Sequence, residues 1–383
     1  MSAFEQSEYR DRVQQVSAAM QKSGVDTLVV LAEANIFYLS GYEGFSDYVP
    51  QAAVLRAGDQ DVTLILREMD IHCAYPTVYL DESRVEWYPE SLIGTPERSP
   101  WEVIGARVKE IAQGGTIGVE YGASVFSYRD HLALADTLDG ESVVDGSGLV
   151  ETSKKKKSNA ELDYMRQAAV IVDNALQKGI AQIAEGVREC DVAATILHQL
   201  TAGTAQCGGG PTKPPTMGVG TRAAAPHLKW TDAPYAAGAQ TDFEIGGYVH
   251  RYACPLSRTA YLGDPPQRLL DVHSAVLDGF LSAEAAIRPG GTCGDVHRGF
   301  AEAFYPHGVR KESRIGYSVG IDWSDLCFSL QGDDATVLEV DYTFHLIIGV
   351  WEKADAYVFS EAFRVGPNGG ESFSKTPRQL FVR

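Results

Sequence analysis

The stretch from Thr241 to Thr259 constrains this chain more than any other. It is rich in apolar, β-branched and aromatic residues and reads as an extended strand hairpin. One acid, Glu244, stands on the apolar run Phe243-Glu-Ile-Gly246. An ionisable group on the inner face of such a strand is costly unless it is paired or used. Eleven positions later comes Pro255, which has no side-chain donor atom. The hairpin therefore offers one carboxylate, and that acid reads either as a salt-bridged structural residue or as a working group.

The 383 residues exceed what one compact core usually holds, so two domains are expected. A net charge of −18 argues against a nucleic-acid surface, which would need a basic patch. The 6 cysteines are scattered, with no C-x-x-C pair, a usage that fits a reducing cytosol and neither a disulfide framework nor a zinc cluster. The polar start MSAFEQSEYRDRVQQ is no secretory signal, and no apolar run approaches the length of a membrane span. The expectation is a cytoplasmic protein with no membrane contact.

Residues 9–24 carry Val13, Val16 and Met20 at helical spacing. Short β-type runs at 27–31, 62–66 and 116–120 alternate with helical stretches at 101–112 and 128–137, the pattern of a small α/β layer domain, assigned to 1–152. Ser153-Lys-Lys-Lys-Lys-Ser-Asn159 reads as a solvated connector. After it, Ser158 or Asn159 caps a long helix with the stripe Leu162, Met165, Ala169, Val172, Leu176, Ile180 and Ile183. Further helices are expected after Asp191, over 267–287 and from Asp295, with strands near 241–262, 340–350 and 355–366. Long helices over one face of a mostly antiparallel sheet make an α+β domain, assigned to 153–383.

Several segments carry a resemblance. The helix opening after Lys-Ser-x-x-Glu, the hairpin ending Ser257-Arg-Thr259, the turn Gly316-Tyr-Ser-Val-Gly320 and the segment around Glu361 are similar to the creatinase/prolidase/methionine-aminopeptidase, or pita-bread, family. Within it, the segments 41–51, Ala223–Asp232, Phe243–Gly247, Cys254–Thr259 and Thr343–Leu346 resemble the ectoine hydrolase branch. The resemblance implies an α/β N-terminal domain followed by a pita-bread catalytic domain. The family's peptidases hold two metal ions on two aspartates, a histidine and two glutamates. On this chain those positions map to Glu244, Pro255, Tyr317, Ile347 and Glu361, which leaves too few ligands for a bridged pair. No metal pair and no cofactor is expected, with one weakly held ion at Glu244 and Glu361 left open.

The same resemblance implies that Glu244 is a covalent nucleophile, that His227 transfers protons near neutrality, and that Glu361 orients His227 or holds a substrate cation. Tyr48 and Trp230 are expected to pack around a delocalised cation. Arg258 reads either as a fork for a substrate carboxylate or as a buttress of the hairpin. Tyr317 and His345 complete the expected substrate-binding set, with His345 on the same side of its strand as Ile347. Of the other aromatics, Trp323 and Trp351 read as core. The implied reaction opens the cyclic amidine ring of ectoine or a close analogue to an N-acetyl-2,4-diaminobutyrate. A creatinase-like hydrolase of a guanidino acid and a metal-free pseudoenzyme binding a small zwitterion remain as alternatives. The loops 42–47, 210–216 and 320–325 depart from the branch, which leaves the substrate more open than the chemistry. A homodimer is expected, with Tyr48 or its neighbours reaching across to the partner's cavity.

Overall fold

The computed structural model describes residues 2–46, 48–95, 98–210, 213–352 and 355–383. Asp47 of the 41–51 segment and Pro211 and Thr212 of the 210–216 loop lie outside the described residues. The chain divides into two compact units, Met1–Lys154 and Lys155–Arg383.

The first unit runs α1 (Gln6–Lys22), β1 (Thr27–Val30), α2 (Glu33–Ser40), β2 (Ala52–Arg56), β3 (Thr63–Arg67), α3 (Ile71–Ala74) and β4 (Val85–Tyr88). It closes with α4 (Pro100–Ala112), β5 (Ile117–Val119), α5 (Tyr128–Thr137), β6 (Val143–Asp145) and α6 (Leu149–Lys154). Its sheet has the order β4-β3-β2-β1-β5-β6 and mixes parallel and antiparallel pairs. β1 is buried at every position, as expected of a central strand in a layered sheet. Ser99 and Ser127 start α4 and α5 with capping boxes closed by Glu102 and Asp130.

The second unit begins with α7 (Asn159–Gln182) and α8 (Glu189–Ala202), then β7 (Thr216–Val219), β8 (Gln240–Val249) and β9 (Tyr252–Tyr261). It continues with α9 (Gln267–Ala286), α10 (Cys293–Phe304), β10 (Gly316–Gly320), β11 (Trp323–Ser329), β12 (Thr343–Val350), β13 (Tyr357–Gly366), β14 (Gly369–Ser372) and β15 (Phe381–Val382). Ser158 caps α7 in a box with Glu161, and the whole predicted stripe of α7 is buried. Asp191 falls inside the first turn of α8 and Asp295 inside that of α10, where each acid favours the positive helix end.

The sheet runs β11-β10-β12-β13-β9-β8-β7, antiparallel along this path. β8 and β9 are joined by His250 and Arg251, both at positive φ (45° and 67°), the primed turn that matches strand twist. Alternation then gives each strand two faces. Phe280 of α9 packs against Phe359 and Phe363 of β13, and only a glycine at 247 clears α7, where an added Cβ would lie 2.1 Å from the Ala168 carbonyl. That face belongs to the helices; the other carries the site.

The lysine run is not a solvated connector throughout. Lys154 and Lys157 are buried, and Lys157 Nζ meets Asp325 Oδ2 at 2.5 Å, an ion pair that fixes the start of the second unit.

Candidate active site

Pairing register builds the site. Residues opposite each other on antiparallel strands point to the same side. Glu244 pairs with Ser257, Ser257 with Ser360, and Ser360 with Ile347; Tyr317 pairs with His345. These residues form one row across the face turned away from the helices. His345 is fully buried, and its Nε2 meets Ser360 Oγ at 2.6 Å while its Nδ1 meets Tyr317 Oη at 3.2 Å. Trp323 Nε1 donates to Tyr317 Oη at 2.8 Å. Burial pushes the His345 imidazole down to about 3, so it is neutral at working pH, and pushes the Tyr317 phenol up to about 12.

At the β8 end of the row lies a small recess, lined by Thr216, Gly218, Ala225, Pro226, Asp242, Glu244 and Trp351 among others. Gly218 shapes it: an added Cβ would sit 2.5 Å from the Arg222 carbonyl, so only glycine lets the 222–226 turn fold back over β7. Two indoles lie over two strand glycines of the same face. A Cβ at Gly246 would meet Trp323 Cζ3 at 2.6 Å, and one at Gly349 would meet Trp351 Cζ2 at 2.4 Å. The expectation that both tryptophans are core is therefore corrected: each is only partly buried and walls the site face.

Glu244 keeps some exposure through the recess, yet desolvation alone pushes its carboxyl up to about 7. Two positions away on the same face, Asp242 is 5% exposed and is also pushed up to about 7 by burial, against the hydrogen bonds from Gln240 and Thr259. Its Oδ2 has no partner, and neither does the buried Oγ of Ser257. Sequence reading missed Asp242, Ser257 and Ser360. The signal for Asp242 was its even spacing from Glu244; the serines needed the register.

Several predicted site residues lie elsewhere. Glu361 is one residue from Ser360 and so faces the helices. It is 1% exposed and held by Arg258 Nη2 at 2.7 Å, by Arg378 Nη2 at 2.7 Å and by Ser372 Oγ at 2.7 Å. It cannot orient His227 from there. Arg258 is likewise a buttress and no substrate fork: it is fully buried, stacks on Phe359, and spends its donors on Glu361 and the carbonyls of Ser257, Ser360, Thr376 and Pro377. The acid position assigned to Glu361 is filled on the site face by Ser360.

His227 is exposed in the turn whose neighbours Ala225 and Pro226 line the recess, and Trp230 is partly buried further along that segment. Tyr48 belongs to the first unit, 70% exposed, with its hydroxyl accepting from Arg67 Nη1 at 3.0 Å.

A helix-backed antiparallel sheet with an acid on its open face, preceded by a separate α/β unit, defines the pita-bread hydrolase class. The chain matches metallopeptidase family M24 over residues 163–369 and the creatinase/prolidase N-terminal domain over residues 12–153, and it belongs to that family. It is 36% identical to an uncharacterized hydrolase/peptidase of Sinorhizobium fredii, covering 99% of this chain and 98% of that one. It is 31% identical to ectoine hydrolase of Halomonas elongata, again over 99% and 98%. Among solved structures, the prolidase of Thermococcus sibiricus superimposes with a TM-score of 0.84 at 18% identity, covering 98% of this chain and 99% of that one. Dipeptidase PepE of Mycobacterium ulcerans gives 0.83 at 21% identity, covering 99% of each chain.

The family name raises a metal, and the side chains of this face do not fit one. Among the described residues no group of three or more His, Cys, Asp or Glu is placed to hold an ion. Pro255 and Ile347 have no donor atom, and His345 has both ring nitrogens engaged. A bridged hydrolytic pair needs several carboxylates around it. No helix among the described residues is long and apolar enough to cross a membrane.

Proposed function

We propose that this protein is a metal-independent hydrolase of a C–N bond in a small cyclic amidinium acid, ectoine or a close analogue. One observation carries the reading: Glu244 sits in a recess with no cationic partner among the described residues, its carboxyl raised to about 7 by desolvation alone. Such a group is completed by a cation that arrives from outside. An amidinium supplies that charge and an electrophilic carbon together, and the 31% identity to ectoine hydrolase supports this substrate class.

In the proposed reaction a Glu244 oxygen adds to the amidinium carbon and forms a tetrahedral adduct. One ring C–N bond then breaks as that nitrogen takes a proton, leaving an O-linked imidate. Water adds to the imidate carbon, the Glu244 carboxylate departs, and the product is an acetamide with a free ammonium. His227, exposed beside the recess, exchanges protons with solvent and activates the water. Trp323 and Trp351 flank the planar cation, while Tyr317 and Ser257 offer neutral donors to its carboxylate. His345 holds Tyr317 and Ser360 in place.

The test is mass spectrometry of products from ectoine, creatine and a proline dipeptide, with and without chelator. Ring-opened, acetylated diaminobutyrate at an unchanged rate in chelator is the expected result, lost in Glu244→Gln. Turnover of the dipeptide alone, dependent on manganese or cobalt, would overturn the reading. A homodimer and a cytoplasmic location are also proposed; sedimentation and fractionation check them.

A further inference from the structure

The recess holds a second acid that the reaction above does not use. Asp242 and Glu244 are at i and i+2 on β8, side by side on one face and about 7 Å apart along the strand. Both line the same recess, and among the described residues neither lies within ion-pair distance of a lysine, arginine or histidine. Asp242 Oδ1 accepts from Thr259 Oγ1 at 2.8 Å and from Gln240 Nε2 at 3.0 Å, whereas Oδ2 is buried and unpartnered. A lone buried carboxylate oxygen costs free energy that a protonated one, or one facing a donor, does not. The remaining recess side chains at Thr216, Ala225, Pro226, Trp351 and Val358 are neutral.

We propose that Asp242 is the acid partner of Glu244: it keeps its proton while a bound amidinium ionises Glu244, and it gives that proton to the nitrogen that leaves. The inference rests on the amidine reading above and adds the general acid to it. Electron and proton counts close without another reactant. The C–N bonding pair goes to the departing nitrogen, the proton passes from Asp242 Oδ2 to that nitrogen, and the water that cleaves the imidate restores the proton to Asp242. Burial pushes each carboxyl up to about 7, and an arriving amidinium favours ionisation of the one it contacts. The titratable groups nearest the pair are phenols, Tyr357 beside Asp242 and Tyr317 and Tyr248 beside Glu244, with His227 exposed on the adjoining turn.

Two measurements test the inference. The first is calorimetry of acetamidinium binding at pH 6 in buffers of different ionisation enthalpy, which counts protons released and needs no turnover. About one proton is expected from wild type and about one from Asp242→Asn, because only Glu244 ionises. Two protons from wild type, or none from Asp242→Asn, would overturn the pairing. The second compares ectoine with an N-(4-nitrophenyl)acetamidine, whose aniline leaves without help from an acid. Asp242→Asn should lose on the order of 10²-fold or more in kcat on ectoine and only a few-fold on the aryl amidine. It should also lose the alkaline limb of the kcat profile. Equal losses on both substrates would overturn the catalytic role, and acetamidinium binding by the variant shows that it is folded. If acetamidinium binds with one proton released but ectoine is inert, the substrate assignment fails and the acid pair stands. If acetamidinium does not bind to wild type, both fall.

Discussion

Glu361→Gln separates a structural acid from a catalytic one. In the wild type the carboxylate lies between two guanidinium groups, Arg258, which is fully buried, and Arg378, which also reaches Glu284 of α9 at 2.6 Å. An amide keeps one acceptor for Arg258 but turns its NH₂ toward Arg378 and Ser372. Arg378 retains Glu284; Arg258 is left as an uncompensated buried cation. Breaking a buried pair in this way costs about 3–5 kcal/mol. For a unit of this size that is a fall of roughly 10 °C in Tm. The assay is urea and thermal unfolding, with turnover measured well below the transition. Activity per folded molecule is expected to stay within a few-fold of wild type. The double change Arg258→Met with Glu361→Met removes both charges and should destabilise less than Glu361→Gln, because no buried ion is stranded. A Tm within 2 °C of wild type, combined with a hundred-fold loss of turnover, would refute the assignment and return Glu361 to the chemistry.

Three further outcomes follow from the site. Asp242→Asn should stabilise the protein in a pH-dependent way. The folded carboxyl is raised from 3.8 to about 7, so the wild type loses stability as pH climbs between those values, and the variant does not. The expected gain is about 0.5 kcal/mol at pH 4 and at most about 4 kcal/mol at pH 8, read by urea unfolding; an equal gain at both pH values would show that the carboxyl does not titrate near 7. Gly246→Ala places a methyl group 2.6 Å from Trp323 Cζ3 and should displace the indole. Overpacking of this kind costs about 1–3 kcal/mol, and KM for an amidinium should rise more than kcat falls, with a shift in tryptophan emission. Finally, a cationic substrate favours ionised Glu244, so its affinity should rise about ten-fold from pH 6 to pH 8 in wild type and stay flat in Glu244→Gln.

Much of the architecture was legible because it follows local rules. Ser158 with Glu161, and the seven-residue stripe of α7, are signals that a helix cannot hide. The hairpin at Thr241–Thr259 was equally plain, since two apolar runs of strand composition face few alternatives. What the chain did not reveal was register. Ser360 and Glu361 are adjacent, and a one-residue difference in phase moves a side chain from the open face to the helix-packed one. The resemblance put Glu361 in the site, yet pairing of Ser360 with Ser257 and Ile347 puts the serine on the site face. Register also decides between the two readings of Arg258 in favour of the buttress, since its neighbour Ser257 is the one opposite Glu244. The lysine at 157 reads as solvent-facing because its buried partner, Asp325, is distant in sequence.

On the proposed mechanism, parity also lets this face react without several charges. Along the row from Tyr317 through His345 and Ser360, each polar group either donates to or accepts from the next, so the row is ordered yet neutral. His345, held near 3, does not change charge between pH 5 and 9, and Tyr317 stays a neutral phenol over that range. Within the row and recess, the groups left to titrate near neutrality are the carboxyls of Asp242 and Glu244. A bell-shaped kcat/KM profile would then report these two carboxyls together with the proton-transferring His227. Replacing His345 with Asn should lower the height of that bell without moving its limbs, because the imidazole positions Tyr317 and Ser360 and carries no proton of its own into the reaction. A limb that shifts in the His345→Asn variant would make His345 itself a titrating group in the mechanism and break the assignment.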